Sequence, residues 1–298
     1  MASLLETRKK IKSVKQTRKI TKAMQLVSAS KMKVFQRKAV SARQYAWDLL
    51  EVLKHYMTEK EISQFMAERE EGKTLFVLYS SDKGLCGPLN AKLTKALVGS
   101  AAWQNTPAEK RLLVTIGKKA SDFAHYNEIP VDRSFRTVKE NLSTLDALAF
   151  IQPILDYWTQ GNVKQIYMVA PHYKSALVFY PMVKTFLPFS FEMIEEHINV
   201  EQENKRAEVA PRDDSGMIYE PNKKRVLEVL FQQVIQMLFL QAFFELKAAE
   251  YSSRMIAMQN ATDNASELIQ QLTLVYNKAR QAKITQELAE MAGAMAAM

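Results

Sequence analysis

The residues best placed to do chemistry lie in one stretch, Ser80-Ser81-Asp82-Lys83-Gly84-Leu85-Cys86-Gly87-Pro88-Leu89-Asn90, between a short apolar run and a helical pattern. A turn ahead of a helix start is where phosphate-binding loops sit, because the first amides of a helix point at an anion. Gly84 and Gly87 do not make G-x-G-x-x-G, however, and no G-x-x-x-x-G-K-[ST] occurs in the chain. The stretch therefore reads as a tight strand-to-helix turn. Cys86 could act as a nucleophile, its pKa lowered by the helix start. The four histidines, His55, His125, His172 and His197, are scattered, and spacing assigns none of them an acidic partner. A buried structural cysteine is the simpler reading. There is no H-E-x-x-H and no cluster with metal-ligand spacing. No catalytic residue, cofactor site or metal site is expected.

Charge is the next signal. The 298 residues carry a formal charge of +9, and the imbalance is local. Residues 1–43 hold nine lysines and four arginines against a single acid, Glu6. A block that basic repels itself and calls for an acidic partner surface. No helix-turn-helix, zinc finger or zipper accompanies it, and its basic and apolar residues are interleaved, which argues against nucleic acid. Lysine outnumbers arginine, which argues against a mitochondrial presequence, and residues 1–30 lack the apolar core of a signal peptide. The most apolar stretch, Val226 to Phe244, is broken by Glu228, Gln232, Gln233, Gln236 and Gln241, so no membrane span is expected. One cysteine excludes an intrachain disulfide framework.

The elements that would hold these residues follow from the breakers. All nine prolines lie between Pro88 and Pro221, and residues 1–71 and 222–292 contain neither Gly nor Pro. Two long helices enclosing a compact centre are expected. In the C-terminal flank Met258, Ala261, Ala265, Leu268, Leu272, Val275, Ala279 and Ala282 alternate spacings of three and four, a heptad seam. In the N-terminal flank Ile20, Met24, Val27 and Val34 keep that spacing, with Lys31 interrupting, and Leu4, Ile11 and Val14 form an earlier, imperfect stretch. The two seams predict an antiparallel coiled coil. The centre alternates apolar runs (75–79, 112–116, 163–169, 176–186) with helical patterns (91–103, 118–126, 142–158), which predicts a mostly parallel, Rossmann-like sheet with flanking helices. The expected organisation is a basic helix over 1–60, an α/β domain over 73–198, a polar connector over 199–221 and a long helix over 222–298.

The chain's end, Met291-Ala292-Gly293-Ala294-Met295-Ala296-Ala297-Met298, is apolar and uncharged, as if made for an apolar sleeve in a partner. Residue patterns alone leave three classes open. One is a shaft in a larger assembly. Another is a small α/β enzyme with helical dimerisation arms that uses Cys86. The third is a basic coiled-coil nucleic-acid binder.

Three motifs narrow this. Thr17-Arg18-Lys19-Ile20-Thr21-Lys22-Ala23-Met24-Gln25-Leu26-Val27 resembles the N-terminal signature of the gamma subunits of F-type ATP synthases. Ser81-Asp82-Lys83-Gly84-Leu85-Cys86-Gly87 is similar to that family's central motif, with Pro88 where the family usually has a second Gly. The segment from Met255 to Ala265, then Leu272-Thr273-Leu274, Tyr276 to Ala282 and Ile284 to Leu288, resembles its C-terminal signature almost letter for letter, preceded by Ser252-Ser253 in place of alanines. The resemblance implies a non-catalytic central rotor, coupling ion flow through a membrane rotor ring to ATP synthesis or hydrolysis on beta subunits. Its implied partners are the alpha and beta subunits of a hexamer, an epsilon subunit and the ring of c subunits, with no nucleic acid and no direct membrane insertion. Arg280, Gln281, Thr285 and Glu287 would contact a beta subunit, and Met24 would face an acidic beta-subunit segment. Lys83, Gly84, Leu85, Cys86, Gly87 and Asn90 would belong to a foot near the rotor ring or epsilon. The resemblance further implies a bacterial chain without a presequence, on the cytoplasmic face of the inner membrane.

Overall fold

A computed structural model of the chain describes residues 4–56, 63–136, 144–190 and 219–296. Two compact units are present. One comprises residues 31–253, the other residues 1–30 with 254–298. Two helices contribute to both: α1, Leu4–Tyr56, and the C-terminal α6, Lys223–Ala296. The absence of Gly and Pro from both stretches is what lets them run so long.

The larger unit is built on five strands. β1, Lys73–Tyr79, lies at the centre, flanked by β2, Arg111–Ile116, and β4, Val163–Tyr173. β3, Arg133–Phe135, pairs outside β2, and β5, Phe179–Leu187, outside β4. All pairs are parallel except β4 with β5. β1 is buried on both faces from Thr74 onward, which explains its unbroken apolar run. β3 was not expected from the sequence: three residues, two of them polar and exposed, leave no periodic signal. The sheet is flanked by α2, Leu89–Gly99, α3, Ala101–Asn105, α4, Lys118–Tyr126, and α5, Thr144–Thr159. The single helix expected over 91–103 divides at Ser100. Its backbone is extended, and its hydroxyl accepts the amide of Trp103, a new N-cap. The strand expected from Ala176 begins at Phe179, because Lys174–Val178 forms a hydrogen-bonded turn. The expected connector lies outside the described residues as far as 218.

Helix α6 is the core of this unit. Every residue from Phe243 to Ser253 is buried, three of them charged. A helix buried all round must be walled on several sides. Phe239 meets Tyr79 of β1 at 5.5 Å between ring centroids, while Tyr251 stacks on Phe35 of α1 at 5.6 Å. By length and composition alone α6 contains a window apolar enough to cross a membrane, and half of that window is buried inside the protein. Phe231, Val234, Ile235, Leu238 and Phe243 of this stretch are buried within the unit.

The smaller unit is the antiparallel pair of helix ends. Thr262 Oγ1 donates to Thr21 Oγ1 at 2.8 Å and Gln25 Nε2 to Gln259 Oε1, which fixes the register of α1 against α6.

Candidate functional site

The sheet order β3-β2-β1-β4-β5 puts the topological switch between β1 and β4, and the crevice at the carboxyl ends of those strands is where such folds bind ligands. The Ser80–Asn90 turn leaves β1 there. Its polar groups are spent on one another. Asn90 Oδ1 accepts the Ser81 amide at 3.0 Å, and its Nδ2 donates to Ser81 Oγ at 2.8 Å and to Cys86 Sγ at 3.2 Å. The amides opening α4, which could cradle an anion, are also taken. Lys118 donates to Asp82 Oδ1, Lys119 to the Ser81 carbonyl and Ala120 to Ser80 Oγ. α6 closes the crevice: Lys247 Nζ lies 3.8 Å from Asp82 Oδ2, and a Cβ on Gly87 would sit 3.8 Å from the Ser253 carbonyl. The turn is thus a structural knob seated on α6.

Cys86 is buried, with Ser81, Asn90 and the Lys83 carbonyl as its partners and no base among them. Gly87 adopts φ +56°, and Pro88 opens α2 by accepting the Lys92 amide at 2.9 Å. Leu85 is the exception. It holds φ 61°, where a branched side chain is strained, and is 63% exposed at the tip of the knob. Of the residues grouped as a foot, Cys86 and Asn90 face inward, whereas Lys83, Gly84, Leu85 and Gly87 are exposed.

The pairing face of the smaller unit is displaced from the expected seam. On α1 the inward positions are Thr7, Ile11, Val14, Arg18, Thr21, Gln25 and Ser28, spaced four and three without a break. On α6 they are Met258, Thr262, Ala265, Ile269, Leu272, Tyr276 and Ala279. Met258, Ala265, Leu272 and Ala279 coincide with the expectation. Ile20, Val27, Leu268, Val275 and Ala282 instead face outward, and Met24 and Ala261 sit half-buried beside the seam. Thr7, Thr21, Ser28 and Thr262 share the inward face with Ile11, Val14, Met258, Ile269 and Leu272, whereas Ile20, Val27, Leu268 and Val275 line the outside.

Beyond Ala279, α6 has no inward face. Residues 280–295 are exposed around the whole circumference. Arg280, Gln281, Thr285 and Glu287 project here. Thr285 Oγ1 donates to the Gln281 carbonyl at 3.0 Å, and Lys283 pairs with Glu287 at 3.7 Å, an exposed bridge worth about 0–1 kcal/mol.

One feature no spacing revealed is a buried charge cluster in the larger unit. Glu245 Oε1 accepts from Arg43 Nη2 of α1 at 2.9 Å and from Gln241 Nε2 at 2.9 Å. Its Oε2 accepts from His172 Nδ1 at 3.1 Å and from the Tyr173 amide at 3.0 Å. His172 and Gln241 also line a cavity of about 40 Å³ with Lys184 and Met168. Burial pushes the Glu245 carboxyl up, but the His172 hydrogen bond, the Arg43 and His172 charges and the Gln241 hydrogen bond together outweigh it and bring the pKa down to about 2. A carboxyl lowered from 4.5 to about 2 contributes about 3 kcal/mol to stability. That stability is present above the unfolded value and is lost as pH falls through the folded one. Urea melts of wild type and Glu245→Gln from pH 6 to pH 2 should show wild type losing about 3 kcal/mol more than the variant; equal losses would refute the assignment.

A filled ligand crevice, a helix pair and an uncovered helical tip define a chain that works by contact with partners. Over residues 3–298 it matches the ATP synthase family. It is 36% identical to the ATP synthase gamma chain of Stenotrophomonas maltophilia strain K279a over 304 residues, all of both chains. It is 35% identical to that of Geotalea uraniireducens over 293 residues, 98% of this chain and 97% of the other. The chain belongs to the ATP synthase gamma-chain family. In fold it is similar to a chain from the central stalk and c-ring structure of the Tetrahymena thermophila mitochondrial ATP synthase (TM-score 0.58, 24% identity, 81% of this chain and 99% of that one). It is likewise similar to one from the OSCP/F1/c-ring structure of the Euglena gracilis mitochondrial enzyme (TM-score 0.64, 20% identity, 99% and 94%). These relationships favour neither the small enzyme nor the nucleic-acid binder.

Proposed function

We propose that this chain is the central rotor shaft of a bacterial F-type ATP synthase and carries no catalytic site of its own. Its helix pair turns inside a hexamer of alpha and beta subunits, which perform the chemistry. Its α/β unit meets an epsilon subunit and the membrane ring of c subunits, on the cytoplasmic face of the inner membrane. The observation that carries the reading is the tip of α6: residues 280–295 outrun α1 and are exposed on every side, in a chain related to gamma chains from end to end. Arg280, Gln281, Thr285 and Glu287 on that tip, and Met24 beside the seam, are the beta-subunit contacts of this reading. The Lys83–Asn90 turn offers Leu85 to a further partner. Native mass spectrometry of the complex purified through a tag on this chain tests it. One copy should appear with an alpha–beta hexamer, and the isolated chain should not hydrolyse ATP. A stable homodimer with turnover of its own, or bound nucleic acid in place of the hexamer, would overturn the reading.

The basic face of α1 supports the same partner. Lys9, Lys10, Lys12 and Lys15 are all exposed. Exposed pairs contribute only about 0–1 kcal/mol each and are screened by salt, so single reversals should matter little. Changing all four to Glu should cut the yield of assembled complex about tenfold or more, a loss of roughly 1.4 kcal/mol or more across four contacts. Unchanged assembly at low salt would mean that this charge does not serve the hexamer.

A further inference from the structure

The larger unit contains a joint that apolar packing alone would not supply. Apolar contacts are non-directional, so close packing alone sets the position of a helix without fixing it by bonds of defined direction. Glu245 makes directional contacts to two different elements. Oε1 binds Arg43 on α1, and Oε2 binds His172 and the Tyr173 amide on β4, while Gln241, one turn back on α6, holds Oε1 in place. The carboxylate is 5% exposed, so a donor that leaves takes away a bond that bulk water does not restore freely. Any rotation of α6 strips donors from both oxygens at once.

We propose that Glu245 is a positioning residue that locks α1 and α6 to the sheet in one rotational setting, so that torque passes between these helices and the α/β unit without slip. The proposal rests on the rotor reading above. Four titratable groups face the joint: Arg43 from α1, His172 from β4, Lys184 from β5 through the shared cavity, and Glu245 itself. Glu245 alone among these is an anion, so its charge is what organises the others.

The test uses the assembled complex, purified and reconstituted in vesicles, with Glu245→Gln and Glu245→Leu. ATP hydrolysis is measured without a gradient, and ions moved per ATP are measured against increasing opposing gradients. Hydrolysis should stay within about twofold of wild type, while ions moved per ATP should fall about threefold or more at the steepest gradient. A residue that matters only for folding would lower the yield of complex but leave that ratio untouched, so a wild-type ratio in both variants overturns the proposal. Should Glu245→Leu fail to assemble, His172→Gln leaves the Arg43–Glu245 pair in place and carries the same test. A drop of about 1.5-fold is expected, and no drop overturns it. Failure of the rotor reading would look different: the wild-type chain would not purify with an ATPase, and no ratio could be measured.

Discussion

Replacing Met258 by aspartate separates the two helices of the smaller unit. Met258 is 5% exposed in the seam and lies one turn from the Thr21–Thr262 hydrogen bond. An aspartate there would put a charge in the buried seam, one turn from a pair of hydroxyls that already bond each other. Burying such a group costs several kcal/mol, a large part of the roughly 5–15 kcal/mol that holds a whole domain together. Met258→Leu, close in volume, should cost less than about 1.5 kcal/mol. Amide hydrogen exchange over residues 4–30 and 254–276 distinguishes the two. Aspartate should speed exchange at least a hundredfold, as about 1.4 kcal/mol per factor of ten requires, and leucine should leave it near wild type. Wild-type protection in Met258→Asp would show that the seam is not where the chain buries this side chain.

Gly117→Ala should be the most damaging single-methyl change in the larger unit. Gly117 links β2 to α4 at φ +95°, and a Cβ there would stand 2.2 Å from the Ser80 carbonyl oxygen and 2.8 Å from its carbon. The obstacle is backbone at the end of the central strand, and it is held: Ser80 donates its amide to the Ile116 carbonyl and accepts the Ala120 amide through its hydroxyl. The one side-chain atom nearby, Ser80 Oγ at 2.7 Å, is itself held by the Ala120 amide. The backbone conformation costs about 1–2 kcal/mol for a residue with a Cβ, and the overlap adds about 1–3, so a loss of about 2–5 kcal/mol is expected. For a chain of this size that lowers Tm by roughly 10 °C. Gly84 is the control, because a Cβ there meets nothing within 4 Å, and Gly84→Ala should change Tm by no more than about 2 °C. Equal melting of Gly117→Ala and wild type would contradict the turn as described.

What the sequence made legible follows the strength of its periodic signals. β1 and β2 were readable because strands buried on both faces become unbroken apolar runs, and α1 and α6 because Gly and Pro are missing from long stretches. The break between α2 and α3 was not readable, because Ser100 ends one helix and caps the next through a hydroxyl that has no periodic signature. The seam was half legible. Met258, Ala265, Leu272 and Ala279 stand out by spacing, whereas Thr21, Ser28 and Thr262 are small and polar and do not register as core. Glu245 was out of reach: Arg43 lies 202 residues away, and His172 73 residues away, so only the fold brings them together. A charged residue inside the apolar stretch from Leu238 to Ala249 was the available hint, and it carries no information about its partners.

The length by which α6 outruns α1 also bears on how the protein is made. Ile284, Leu288, Met291 and Met295 fall at spacings of four, three and four and are each about half exposed or more, which aligns them as one uncovered apolar strip. A copy released from the ribosome before its covering partner is ready carries that strip into water, where such surfaces stick to one another or recruit chaperones. Synthesis therefore has to be matched in number and timing to that of whatever encloses the tip, and surplus copies should be lost first from their C-terminal ends.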